Sequence, residues 1–130
     1  MFDGGSVTFT LIAPTSVDFD AGYTTSAGPT ITVYSNAPWT LKIDSPVTTW
    51  TGVATTAEPV RAAKPVGDLT WGHAVGGPYS AVLANSAVTL ATGTATAGTV
   101  VPLFFRTVLN WTLDTPGNYS VQVRFTLTSP

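Results

Sequence analysis

Tyr119-Ser120-Val121-Gln122-Val123-Arg124-Phe125-Thr126-Leu127 alternates without a break, aromatic or aliphatic at every odd position and polar at every even one. Successive side chains on a strand point to opposite faces, so this stretch buries one face in a core and wets the other. Pro116-Gly117 sets the turn that leads into it. The same period of two recurs upstream in Val7-Thr8-Phe9-Thr10-Leu11, Thr30-Ile31-Thr32-Val33-Tyr34 and Trp39-Thr40-Leu41-Lys42-Ile43. It returns in Val101, Leu103, Phe105, Thr107, Leu109, Trp111 and Leu113, where Pro102 places the early part of the run at a sheet edge.

Shorter strands are expected at Thr48–Val53, Leu69–Trp71 and Tyr79–Leu83, with Val17 and Phe19 forming a bend or a second half of the first strand. Ala54–Asp68 holds Pro59, Pro65 and Gly67 and reads as an exposed connection with at most an edge strand or one short helical turn. The small-residue tract Ala91–Gly98 reads as a hairpin tip or exposed edge. Counting these runs gives about seven to nine strands. One sheet of that size leaves too much apolar surface in water, so the expected fold is all-β. Two sheets pack as an immunoglobulin-like or jelly-roll sandwich. Residues 1–5 are expected to form a flexible N-terminal segment and residues 6–130 a single domain.

Composition agrees with that class. A chain of 130 residues is long enough for one core without a metal or disulfide, and it contains no cysteine. Thr and Val favour pleated structure. Only 9% of residues are charged and the formal net charge is −2. The five basic residues Lys42, Arg61, Lys64, Arg106 and Arg124 are scattered, without the basic stripe that a nucleic-acid partner requires. No run approaches the roughly 20 apolar residues of a membrane-crossing helix, and Met1–Gly5 does not begin like an export signal. A surface carried by hydroxyl groups repels its neighbours weakly, which suits dense assembly or an extracellular setting.

Candidate chemistry is sparse. His73 is the single histidine; Asp68 and Ser80 are near it in sequence, but neither spacing implies a catalytic contact, and a structural or solvent role is expected. Asp18 and Asp20 straddle Phe19 and on a strand would share a face, as in half a calcium site or an acid pair. With no further acid at a fixed spacing, they read as the solvated end of a strand, and neither a metal nor a cofactor is expected. Trp39 and Trp111 follow the alternation and read as core. Trp50, Trp71 and Tyr79 border irregular segments and are the candidate carbohydrate or protein interface, because rigid rings stack on sugars or anchor partners. Asn110-Trp111-Thr112 and Asn118-Tyr119-Ser120 permit N-glycosylation in a secretory pathway, with Asn118 the more accessible by its turn.

Asp114-Thr115-Pro116-Gly117-Asn118-Tyr119-Ser120-Val121 resembles the Pro-Gly-x-Tyr approach to the terminal strand of bacterial surface and pilus-related immunoglobulin-like modules. Tyr34-Ser35-Asn36-Ala37-Pro38-Trp39 similarly looks like a hairpin of secreted sandwich modules. The resemblance implies a tyrosine whose hydroxyl finds a backbone partner. It also implies display, adhesion or assembly rather than catalysis, with like subunits or a surface scaffold as partner and an extracellular, cell-surface or virion setting. A carbohydrate-binding module is the alternative.

Overall fold

The structure is a computed structural model that describes residues 5–11, 15–54, 61, 63–110, 112, 114–115 and 117–128. The terminal alternation becomes β11, Gly117–Thr128, with every odd residue from Gly117 to Phe125 buried. It is an interior strand. On one side it pairs antiparallel with β1, Gly5–Leu11, in the register Val7 to Val123 and Thr8 to Gln122. On the other it pairs with β4, Trp39–Asp44, along its second half and with β5, Thr51–Ala54, along its first. β8, Val88–Gly93, extends this first sheet beyond β4.

A second sheet runs in the order β2, β10, β6, β7, formed by Tyr23–Ala27, Phe104–Val108, Leu69–Gly72 and Ser80–Ala81. A third holds two strands, β3, Ile31–Ser35, and β9, Thr96–Val101. All strand pairings in the three sheets are antiparallel.

The fold is therefore all-β and broadly that of a β-sandwich. The described residues form more strands than expected, and three sheets instead of two. Pro102 is one physical reason. The long alternating run from Thr99 breaks at Pro102-Leu103, so β9 remains with β3 while β10 joins the second sheet. Proline cannot donate to a ladder, and a strand that changes partner needs such a break.

All three sheets feed one core. Leu41, Ile43, Val121, Val123 and Phe125 come from the first, Leu69, Trp71 and Phe105 from the second, and Ile31, Val33 and Val101 from the third. Trp111 and Leu113, expected to continue the inward series, lie outside the described residues.

The segment after β1 departs from expectation. Ser16–Ala21 is a short helix, α1, where a bend or strand was expected. Thr15 caps its start: the hydroxyl accepts from Asp18 N, while Asp18 Oδ2 accepts from Thr15 N at 2.9 Å. Gly22 ends the helix in the left-handed conformation at φ 82°. Phe19 is the residue that α1 buries.

The small-residue tract does two things. Thr94 and Ala95 make the turn between β8 and β9, and Gly93 makes room for a tryptophan. A Cβ added at Gly93 would stand 2.5 Å from Trp39 Cζ2, and the same indole donates Nε1–H to the Thr94 carbonyl at 2.9 Å. Gly93→Ala is expected to cost about 1–3 kcal/mol through overpacking. The expected reading is a lower urea midpoint at an unchanged slope. A midpoint equal to that of the native chain would show that the Trp39 pocket yields freely.

Candidate functional site

The largest organised group of ionisable side chains among the described residues centres on Lys64, in the segment expected to be an exposed connection. That expectation fails at this residue: Lys64 is 0% exposed. Its ammonium donates to Asp114 Oδ1 at 3.0 Å, to Asp68 Oδ2 at 2.9 Å and to the Val108 carbonyl at 3.0 Å, which uses all three of its protons. Arg61 Nη1 reaches the same two carboxylates, at 3.0 Å to Asp114 and 3.3 Å to Asp68. The other Asp114 oxygen accepts from Asn110 N at 2.8 Å. The rings of Trp50 and Tyr119 flank the ammonium at 5.8 and 6.0 Å.

Local structure brings these groups together. The turn Val66–Asp68 folds Asp68 back over Lys64, and Trp50 N–H donates to the Lys64 carbonyl at 2.8 Å. Tyr119 stands at the start of β11, 1% exposed; its hydroxyl donates to the Thr115 carbonyl and accepts from Arg61 N at 3.3 Å. The backbone partner implied for this tyrosine is thus present. The network ties the segment before β6, the end of β10 and the approach to β11 into one corner. Its acids and its lysine are already bonded to each other, and Asp114 is buried beside Lys64, so the arrangement braces the corner and leaves little to offer a substrate.

Trp50 and Trp71 are 5% and 9% exposed, part of the core rather than a surface platform. Trp50 donates Nε1–H to the Pro65 carbonyl at 3.1 Å, and Trp71 meets the His73 ring edge-on at 5.5 Å. The irregular segments beside them fold inward, which local sequence does not reveal. Tyr79 is half-buried, its hydroxyl on the Val75 carbonyl at 2.7 Å. The three rings do not form one aromatic cluster, and no such cluster supports the carbohydrate alternative. Tyr79 instead stacks on Arg106, its ring centroid 4.3 Å from the guanidinium carbon, and Tyr23 lies 4.0 Å from the same carbon.

His73 brings no catalytic pair together. Its Nδ1 is 2.9 Å from the Pro102 carbonyl and its Nε2 2.8 Å from the Leu90 carbonyl, so the ring links the end of β6 to β8 and to the break between β9 and β10. Asp68 belongs to the Lys64 network. Asp18 and Asp20 do not share a strand face. Positions two apart on a helix point about 200° apart, and Asp18 is engaged in capping. Among the described residues no group of three or more His, Cys, Asp or Glu is placed to hold a metal ion. A depression of about 350 Å³ lies between β1 and β2, lined by Thr8, Thr10, Ser26, Ala27, Pro29 and Phe105, without an ionisable side chain. Asn118 is half-buried within β11 whereas Asn110 is exposed, the reverse of the expected order of access.

The remaining strong pair is Arg124 with Asp44, on adjacent strands, bonded at 2.9 Å through Nε and 2.6 Å through Nη2. Hydrogen bonding to Asp44, followed by its charge, holds the guanidinium above its ordinary range. A raised value on a cation stabilises the fold below the ordinary guanidinium range and is lost only as pH rises past the raised value. Deprotonation of Arg124 therefore does not dissolve this pair under ordinary alkaline conditions.

No protein-family model, curated protein or solved structure matches the chain. Among the described residues no helix is long and apolar enough to cross a membrane.

Proposed function

We propose that this chain is a noncatalytic structural module that packs beside like subunits on a cell surface, an appendage or a virion. One observation carries the reading: where the strand charges stand. The described strands hold four charged residues, Lys42 and Asp44 in β4, Arg106 in β10 and Arg124 in β11, all of them interior strands. The edge strands β1, β2, β3, β5, β7, β8 and β9 hold none.

Proteins that remain apart blunt their sheet edges with charge or proline, because an unpaired row of N–H and C=O groups is a template for another chain. Here that protection is missing from seven strands. β1 shows exposed Thr8 and Thr10, and β9 shows exposed Ala97, Gly98 and Val100. Antiparallel addition at such an edge supplies directional backbone bonds and needs no side-chain chemistry.

Mass photometry and light scattering over a wide concentration range test this. The native chain is expected to form species above the monomer, and Thr8→Lys and Val100→Lys, each at an exposed edge position, are expected to shift it back. A native chain that stays strictly monomeric defeats the like-subunit reading.

A further inference from the structure

We propose that Asn110 is the acceptor of an N-linked glycan, and that the fold withholds the second Asn-x-Ser/Thr pattern, at Asn118, from the same reaction. Modification at this side chain requires no association between copies, so it is independent of the assembly reading above.

In glycan transfer an asparagine Nδ2 attacks the anomeric carbon of a glycosyl group carried on a lipid-linked pyrophosphate. A C–N bond forms and the bond from that carbon to the phosphate oxygen breaks. The pyrophosphate leaves with the electron pair, and Nδ2 gives up one proton. The amide lone pair is delocalised into its carbonyl, so the nitrogen is a poor nucleophile until that proton is loosened. The product is bulky, which confines the reaction to asparagines at the surface.

Asn110-Trp111-Thr112 meets both requirements. Asn110 and Thr112 are exposed. Thr112 N donates to Asn110 Oδ1 at 2.8 Å, and Thr112 Oγ1 donates to the same oxygen at 2.6 Å. This turn, closed by the asparagine side chain two residues back, sets the hydroxyl of the pattern against the acceptor amide. Two donors on Oδ1 draw electron density toward oxygen and make the Nδ2 protons easier to remove. Nδ2 itself makes no hydrogen bond among the described residues.

The acceptor loop is held from behind. Asn110 N donates to Asp114 Oδ2 and Asp114 N donates to the Asn110 carbonyl, both at 2.8 Å. Asp114 in turn is anchored on Lys64 and Arg61. The loop is therefore fixed through its backbone while the amide nitrogen of Asn110 stays uncommitted.

Asn118-Tyr119-Ser120 has the same spacing in a different setting. Both Asn118 and Ser120 are half-buried in β11. Asn118 pairs with Val53 of β5, and Ser120 lies between Thr51 of β5 and Thr10 of β1. Extended backbone carries residues two apart about 7 Å along the strand, so this pattern cannot close into the turn seen at Asn110. Opening it would break the ladder on both sides of an interior strand.

The test offers the folded chain to a purified single-subunit eukaryotic oligosaccharyltransferase with a lipid-linked oligosaccharide. Intact mass counts the glycans and peptide mapping places them, and each variant is checked for native folding by its thermal melt. The native chain is expected to gain one glycan, mapped to Asn110. Asn110→Gln is expected to abolish the gain, and Asn118→Gln to leave it unchanged. If Asn110→Gln does not fold, Thr112→Ala takes its place, with the same loss expected. A folded native chain that gains no glycan, a glycan mapped to Asn118, or a gain that disappears in folded Asn118→Gln overturns the assignment.

Discussion

Removing Gly117–Thr128 is expected to abolish the cooperative thermal unfolding transition. β11 is an interior strand of the first sheet, paired to β1 on one side and to β4 and β5 on the other. Its loss takes Tyr119, Val121, Val123 and Phe125 out of the core, leaves β1 and β5 without a partner strand and leaves β4 paired to β8 alone. Burial of a large apolar side chain stabilises by about 1.5–3 kcal/mol, so four of them amount to roughly the whole stability of an ordinary domain, about 5–15 kcal/mol. Val123→Asp makes the same point without a deletion, because Val123 is fully buried and an unpaired carboxylate there meets no partner charge on its own strand face. Calorimetry or circular dichroism reads the outcome. A sharp transition that survives the truncation would mean that the second and third sheets hold the fold without this strand.

The second large effect is expected at Lys64. Lys64→Met removes the ammonium that joins Asp68, Asp114 and the Val108 carbonyl, and leaves Asp114 buried with Arg61 as its remaining cation. Breaking one partner out of a buried ion pair costs about 3–5 kcal/mol. The corner it braces joins the approach to β6, the end of β10 and the start of β11, so the loss should appear in global stability and not as local fraying.

In urea, Lys64→Met is expected to unfold at a much lower midpoint. Lys64→Met combined with Asp114→Leu should be less destabilised than the sum of the two single changes, since residues in one network are coupled. Native-like stability for Lys64→Met would show that the network contributes little and that Arg61 alone satisfies Asp114.

These two expectations differ in how far sequence alone supports them. The alternation of Tyr119–Leu127 identified a strand with one buried face, and that face is buried from Tyr119 to Phe125 with Leu127 half-buried. Trp39 on the inward phase of its strand was equally legible, and it is buried. Lys64 was not. A lysine in a proline-containing connection carries every local sign of an exposed residue, and its burial depends on Asp114, fifty residues away in sequence.

The helix α1 was not read from the sequence, although Thr15, Asp18 and Gly22 supply a start, a capping partner and a stop. Val17 and Phe19 also satisfy a period of two, and over so few residues the two periodicities cannot be told apart. Trp50 and Trp71 show the same limit. Irregular neighbours suggested exposed rings, yet each ring fills the core, because a short strand or bridge can turn a side chain inward without any repeating pattern. The Tyr23–Arg106–Tyr79 stack joins residues from three separate segments, and only Tyr79 was singled out from the sequence.

The sequence by itself determined the class of structure and the faces of its main strands, because the side-chain period along a strand is a local property written residue by residue. It also determined where charge is scarce, since composition needs no coordinates. The tertiary structure alone decided that β11 is interior, that Pro102 divides one alternating run between two sheets, and that the strand charges fall on interior strands. It alone placed Lys64 between two aspartates and Arg106 between two tyrosines. Those outcomes depend on pairing between distant segments, where burial and electrostatics are set by neighbours that local sequence does not contain.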